Sequence, residues 1–184
     1  MRRYIGTADE SLCSQGIEEL KNNLLEGIYK WRTASKIYSS PYRRCRETAE
    51  IIFGNREFSV ENDLRECDFG RFENKNHKEL SGDKEYQAWI DSNGTMAFPG
   101  GEDITEFKDR CVRAFLEIVE KERETDIETD TDNLICLVVH GGTIMSIMEK
   151  FDREQRNYYD YGVSNGHGYV VEFDGTGINI LEKF

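Results

Sequence analysis

The chain has three histidines, His77, His140 and His167. His140 closes an uninterrupted apolar run, "LICLVV" (134–139), and is followed at once by Gly141 and Gly142. A histidine at the carboxyl end of a buried strand can donate to an anion or accept a phosphoryl group. The two glycines allow close backbone approach before the next helix. A lone histidine there is ordinarily a ring that satisfies a carbonyl at the sheet edge; its position together with the glycines favours chemistry. A second group lies in "SSPYRRCRETAE" (39–50), where Arg43, Arg44 and Arg46 fall in the first two turns of a helix. Cations there oppose the helix dipole, at about 0.3–1 kcal/mol each when exposed. A bound anion would offset this, because a helix N-terminus presents free N–H groups and arginine a planar fork that suits phosphate oxygens. A surface cluster paired with the chain's carboxylates accounts for the same arginines equally well. The third candidate is Glu66 in "LRECDFG" (64–70). A carboxyl group near a phosphate has a raised pKa and can act as a general acid, but among 36 acidic residues the signal is weak by itself.

These residues need elements to position them. Apolar spacing at Ile17, Leu20, Leu24, Leu25 and Ile28 predicts an amphipathic helix over 14–31. "KIYSS" (36–40) reads as a strand, with Ser40 as N-cap and Pro41 as first residue of a helix that runs to about Phe53. "EFSV" (57–60) reads as a strand, 64–75 as a loop, and 77–90 as a helix. "FPGGED" (98–103) is a turn cluster, and Asp103 with Glu106 fits a capping arrangement for the helix that follows. The acidic stretch 120–133 reads as a solvated helix end and loop. After the buried strand 134–139, "TIMSIMEKF" (143–151) is a helix, and 169–181 a hairpin around Asp-Gly. Strands alternating with helices predict an α/β fold with a mainly parallel sheet, whose ligands bind beyond the carboxyl ends of the strands.

The bulk properties narrow the function class. A chain of 184 residues fits one domain, here 1–184. A net charge of −12 argues against nucleic acid or an anionic membrane as partner, so any cations for an anionic small molecule must be gathered locally. Five cysteines with no CxxC pair read as reduced thiols of a cytoplasmic protein, not a disulfide frame or zinc site. The N-terminus lacks the apolar core of a signal peptide, and the longest apolar run is too short to cross a bilayer.

Taken together these stretches resemble the histidine phosphatase superfamily, the phosphoglycerate mutase-like family. "RYIGTADESLCSQG" (3–16) is similar to its Arg-x-x-Gly-x-x-Asp-x-x-Leu-x-x-x-Gly segment, and "YSSPYRRCRETAEII" to its Ser-Ser-x-x-x-Arg-x-x-x-Thr-Ala motif. "LRECDFGRFENK", "FPGGED" and "VVHGGTI" resemble its Glu, Pro-Gly-Gly-Glu and second-histidine elements, in the same order along nearly the whole chain. The resemblance implies a three-layer α/β/α sandwich with a mainly parallel central sheet and a site that uses no metal or cofactor. It places Arg44 on the phosphoryl oxygens, with His140 and the backbone N–H of Gly141 steadying them. Glu66 would protonate the leaving oxygen and then activate water. Arg3, Gly6 and Arg43 would contribute to phosphate or substrate binding.

The departures bear on the chemistry. The family's first strand ends in Arg-His-Gly and carries the nucleophilic histidine; this sequence has no Arg-His-Gly. Neither His77 nor His167 stands where that residue should. Phe72 replaces a tryptophan, Asn74 a glycine and Asp103 a serine. The expectation is a domain lacking its first strand, explained by a start codon placed too late (the favoured account), by a true truncation, or by a strand donated from another chain. The short connection from Glu66 to "FPGGED" favours a phosphatase of a small phosphorylated metabolite, nearest the alpha-ribazole phosphatase-like branch. A phosphoglycerate mutase and a non-catalytic phospholigand binder are the alternatives. The oligomeric state is not implied.

Overall fold

The apolar run at 134–139 forms a strand whose alternate side chains serve two separate cores. A computed structural model of the chain describes residues 3–126 and 134–184. Three parallel strands make one sheet in the order β2-β1-β3: β1 is Lys36–Ser39, β2 is Ser59–Val60 and β3 is Ile135–Val138. β1 and β3 pair in register from Lys36 with Ile135 to Ser39 with Val138. Because side chains alternate across a strand, Ile37, Cys136 and Val138 join one core, under helices α1 (Ser14–Leu25) and α2 (Arg43–Phe53). Tyr38, Ile135, Leu137 and Val139 face the opposite core, against Ala114 and Ile118 of helix α4 (Ile104–Asp126). Helices therefore cover both faces of the parallel sheet, as expected.

Several boundaries differ from the sequence reading, each for a local reason. α1 stops at Leu25 and not near Trp31, because Gly27 takes a left-handed conformation. The Gly27 and Ile28 N–H groups donate back to Leu24 and Asn23 in a Schellman cap. α2 starts at Arg43, two residues later than expected, and Ser40 is not its N-cap. The Asp9 carboxylate accepts from Arg43 N instead. The expected helix from His77 is a series of turns up to Gly82; helix α3 covers only Lys84–Asp91, capped by Asp83. Strand β2 is half the predicted length. Asp103 Oδ1 accepts from Thr105 N and Glu106 N at the start of α4, as its sequence position suggests. Part of the acidic stretch, 127–133, lies outside the described residues.

The last helix, α5 (Gly141–Phe151), begins two residues earlier than predicted and includes both glycines. It packs with Phe115 of α4 and with the C-terminal hairpin around Ile147, Met148, Tyr161 and Ile178. That hairpin, β4 (Tyr169–Phe173) and β5 (Ile178–Lys183), is antiparallel and forms a sheet of its own. β3 consequently stands at one edge of the parallel sheet.

Candidate active site

His140 is the N-cap residue of α5, only 7% exposed, at the point where β3 gives way to the helix. Its backbone C=O accepts from Ile144 N and closes the first turn. The ring has polar neighbours on both sides. Nδ1 lies 3.3 Å from Arg44 Nε, and Nε2 lies 2.6 Å from Ser40 Oγ. The Tyr42 ring meets it edge-on, and the Cys45 thiol lies 3.6 Å from either nitrogen. Burial, with the Arg44 and Arg110 cations nearby, holds the His140 pKa well below its usual value, so the ring is neutral at physiological pH. Burial likewise pushes the Cys45 thiol up to about 12, which leaves it protonated and non-nucleophilic.

Arg44, in the first turn of α2, leans back toward the strand ends, as helical side chains do. Its guanidinium donates to the carbonyls of Ala8 at 2.6 Å, Gly6 at 3.0 Å and Ile5 at 3.4 Å, and stacks over Tyr42. The other side of the 5–8 segment is held by Glu73, whose Oε1 accepts from Gly6 N at 2.8 Å and Ala8 N at 3.0 Å. The segment is thus clamped between one cation and one carboxylate, beside His140.

Glu66 is buried in the loop before Gly70. Its Oε1 accepts from Cys67 N at 3.0 Å and its Oε2 from Gly142 N at 3.2 Å, in the first turn of α5. Burial raises its pKa; the two N–H bonds and the Arg44 and Arg110 charges pull the other way without reversing the shift. A carboxyl group that keeps its proton more readily is suited to donate it. Arg110 also fixes the loop that carries Glu66. It is 5% exposed, pairs with both oxygens of Glu102 at 2.9 and 2.8 Å, and donates to the carbonyls of Asp63 and Arg65.

The structure therefore brings Arg44, Glu66, His140 and the Gly141–Gly142 turn to one place, with Gly6 facing them through its carbonyl. Arg3 is not part of this cluster. It is exposed, pairs with Glu79 at 2.7 and 3.0 Å and donates to the Asn74 carbonyl. Arg43 is exposed and donates to Ser11 Oγ, and Arg46 is exposed on the same helix. The anion expected at the start of α2 is supplied in part by the protein itself, as Asp9. Two surface cavities, about 410 Å³ beside Leu24, Ile51 and Arg56 and about 280 Å³ beside Lys36, Tyr38 and Glu122, are lined by none of the cluster residues. The chemistry therefore points to a different place from the cavities. Among the described residues no group of His, Cys, Asp and Glu is arranged to hold a metal ion.

Sequence reasoning missed Asp9, Ser40, Glu73 and Arg110. Arg110 had a signal: it falls three residues after Phe107 and four before Ala114, on the apolar face of α4, where a charge needs a buried partner. Ser40 reads as a helix cap by its local sequence, and its hydroxyl meets His140 across 100 residues.

The sequence model of the histidine phosphatase superfamily (branch 1) matches residues 1–183. Phosphoglycerate mutase-like protein 4 of Arabidopsis thaliana is 30% identical over 155 residues, which is 81% of this chain and 64% of that protein's length. A mutant phosphoserine phosphatase from Entamoeba histolytica, solved in complex with phosphoserine, is similar in fold, with a TM-score of 0.77 at 22% identity, covering 98% of this chain and 87% of that one. The alpha-ribazole phosphatase from Shigella flexneri has a TM-score of 0.75 at 19% identity, covering 97% and 86%. The chain belongs to the histidine phosphatase superfamily, branch 1.

Proposed function

We propose that this chain holds the phosphoryl group of a small phosphorylated metabolite and carries the phosphate-binding and proton-transfer residues of a phosphomonoesterase that works through phosphohistidine. The observation that supports the reading is the convergence of Arg44, buried Glu66 and buried His140 on the first turn of α5. Family membership supports a phosphatase or mutase-like activity in general. Two structures of the Entamoeba histolytica phosphoserine phosphatase, one with phosphoserine and one with 3-phosphoglyceric acid, support a small phosphorylated ligand.

In this reading Arg44 exchanges its carbonyl partners for phosphoryl oxygens. Positioning and charge stabilisation dominate phosphoryl transfer, and the α5 N-terminus adds to them. Glu66, whose burial makes its carboxyl group keep its proton more readily, donates that proton to the departing alkoxide oxygen as the phosphorus–oxygen bond breaks and the phosphorus–nitrogen bond to the superfamily's nucleophilic histidine, a residue distinct from Arg44, Glu66 and His140, forms. In the second half-reaction the carboxylate takes a proton from the water whose oxygen attacks phosphorus; the phosphorus–nitrogen bond breaks, inorganic phosphate leaves, and Glu66 and the histidine are both restored.

A second reading, a phospholigand binder without turnover, is favoured by one observation. Among the described residues neither of the other histidines bonds to the cluster: His77 is exposed in the turns before α3, and His167 pairs with the Asn165 carbonyl. Calorimetry with phosphate and vanadate, together with hydrolysis of an aryl phosphate, separates the two. Binding with turnover supports the enzyme, and binding without turnover the second reading. In both, Arg44→Ala weakens binding roughly ten- to a hundredfold, the loss of charge-assisted bonds worth about 1.5–3 kcal/mol. A folded chain that binds neither anion overturns both.

A further inference from the structure

The His140 ring is held at both nitrogens, and the two contacts determine where its proton sits. Arginine has donors and no acceptor. Nδ1, 3.3 Å from Arg44 Nε, is therefore the unprotonated nitrogen that accepts. A neutral imidazole has one N–H, so that proton is on Nε2 and is donated to Ser40 Oγ at 2.6 Å. Ser40 is 0% exposed and follows directly on β1. Its own backbone N–H donates to Val138 O at 3.0 Å, so the sheet hydrogen bonding continues through it. The hydroxyl is thus placed by the sheet itself, a more rigid support than either of the loops that carry Glu66 and Glu73.

We infer that Ser40 is a positioning residue acting through His140: Arg44 requires an unprotonated Nδ1, and the Ser40 hydroxyl, by accepting from Nε2–H, stabilises the neutral tautomer in which Nδ1 aims the Arg44 guanidinium. The relevance to a ligand rests on the proposed role of Arg44 in phosphate binding. Without the Ser40 hydroxyl, Nε2–H is left in a buried position where, among the described residues, the Cys45 sulfur 3.6 Å away is the remaining acceptor. The other tautomer puts an N–H against the Arg44 N–H, two donors face to face. The first outcome leaves a buried N–H poorly paired and so shifts the balance toward the second, which releases Arg44 from the ring.

Long-range nitrogen–proton NMR of the imidazole reads the tautomer directly. In the wild-type chain His140 is a single Nε2–H tautomer at neutral pH. In Ser40→Ala it becomes a mixture, and phosphate affinity measured by calorimetry falls roughly fivefold or more, the equivalent of one hydrogen bond. Ser40→Thr, which keeps the hydroxyl, retains the single tautomer. A wild-type ring found as Nδ1–H or as imidazolium overturns the inference with no variant needed. So does Ser40→Ala with both tautomer and affinity unchanged. A fixed wild-type tautomer that Ser40→Ala scrambles, in a chain that binds no phosphate, refutes the proposed function and leaves the positioning role intact.

Discussion

Replacing Gly142 by alanine puts a methyl group where Glu66 already is. A Cβ on Gly142 would stand 2.3 Å from Glu66 Oε1, 2.9 Å from Phe107 Cζ and 3.2 Å from Glu66 Cδ. Non-bonded heavy atoms rest at about 3.5–4.0 Å, so the carboxyl group must withdraw by about an ångström. It is buried and cannot do so without loosening its bonds from Cys67 N and Gly142 N. Overpacking of this kind costs about 1–3 kcal/mol, against at most about 0.5–1 kcal/mol gained by alanine over glycine in a helix. The net loss is about 1–2 kcal/mol, a fall in Tm of roughly 2–8 °C for a chain of this size. Gly141→Ala is the control, one residue earlier in the same turn with nothing within 4 Å of its Cβ position. It should leave stability unchanged or raise it by up to about 0.5–1 kcal/mol, while a methyl group on the open side weakens phosphate binding severalfold. Urea unfolding followed by circular dichroism, with calorimetric phosphate titration, measures both effects. A Gly142→Ala chain as stable as wild type, or equal destabilisation by both variants, refutes the reasoning.

Other perturbations test the remaining parts of the site. His140, with its folded pKa held below 6.5, contributes stability that is complete above about pH 6.5 and is lost as pH falls through the lowered value. Glu66 behaves oppositely: its raised pKa gives a contribution complete below about pH 4.5 and lost as pH rises through the folded value. His140→Gln should flatten the first limb of a stability–pH curve and Glu66→Gln the second, measured as urea midpoints; an unchanged limb in either variant contradicts the assignment. Arg44→Ala frees the carbonyls of Ile5, Gly6 and Ala8 and should speed amide exchange across 5–12, a region whose protection would stay the same if the clamp were incidental. Arg110→Met leaves Glu102 charged and largely buried, 16% exposed at its side chain, and should cost about 3–5 kcal/mol in urea unfolding. A loss below about 1 kcal/mol would show that the pair does not hold the Glu66 loop.

The parts of the fold and site that were legible in sequence share one property: their determinants lie within a few residues. The apolar run before His140, the cap at Asp103 and the hairpin around Asp-Gly are of this kind. Arg44, Glu66 and His140 stood out as candidates in three separate stretches, each anomalous by itself. The errors came where a residue's partner is distant. Ser40 has good local N-cap chemistry, but His140 claims its hydroxyl across 100 residues of sequence, and Asp9 does the capping instead. Arg3 fits a phosphate role by its motif, yet Glu79 takes both of its terminal nitrogens. Arg44, Arg43 and Arg46, clustered in sequence, divide among a carbonyl cage, a serine hydroxyl and solvent.

The sheet shows the same conflict between local pattern and tertiary placement. Strands buried on both faces in parallel sheets read as continuous apolar runs and normally sit inside the sheet. "LICLVV" has that pattern, but β3 stands at the edge of the order β2-β1-β3. Lys36 N and Ser40 N bond to Leu134 O and Val138 O, so the main-chain groups of the alternate residues Ile135, Leu137 and Val139 point away from β1. Leu137 meanwhile packs in the core shared by α5 and the hairpin, with Tyr169 and Val171 of β4. The apolar side chains on this side are therefore partly covered, while among the described residues no strand pairs with the backbone edge beside them. Uncharged edges of this type are the ones that natural sheets otherwise protect with charge, proline or a covering element. His140, with Arg44 and Glu66 beside it, sits at the carboxyl end of that edge. That placement depends on β3 holding its register with β1, its one strand partner among the described residues, through the four residue pairs from Lys36–Ile135 to Ser39–Val138.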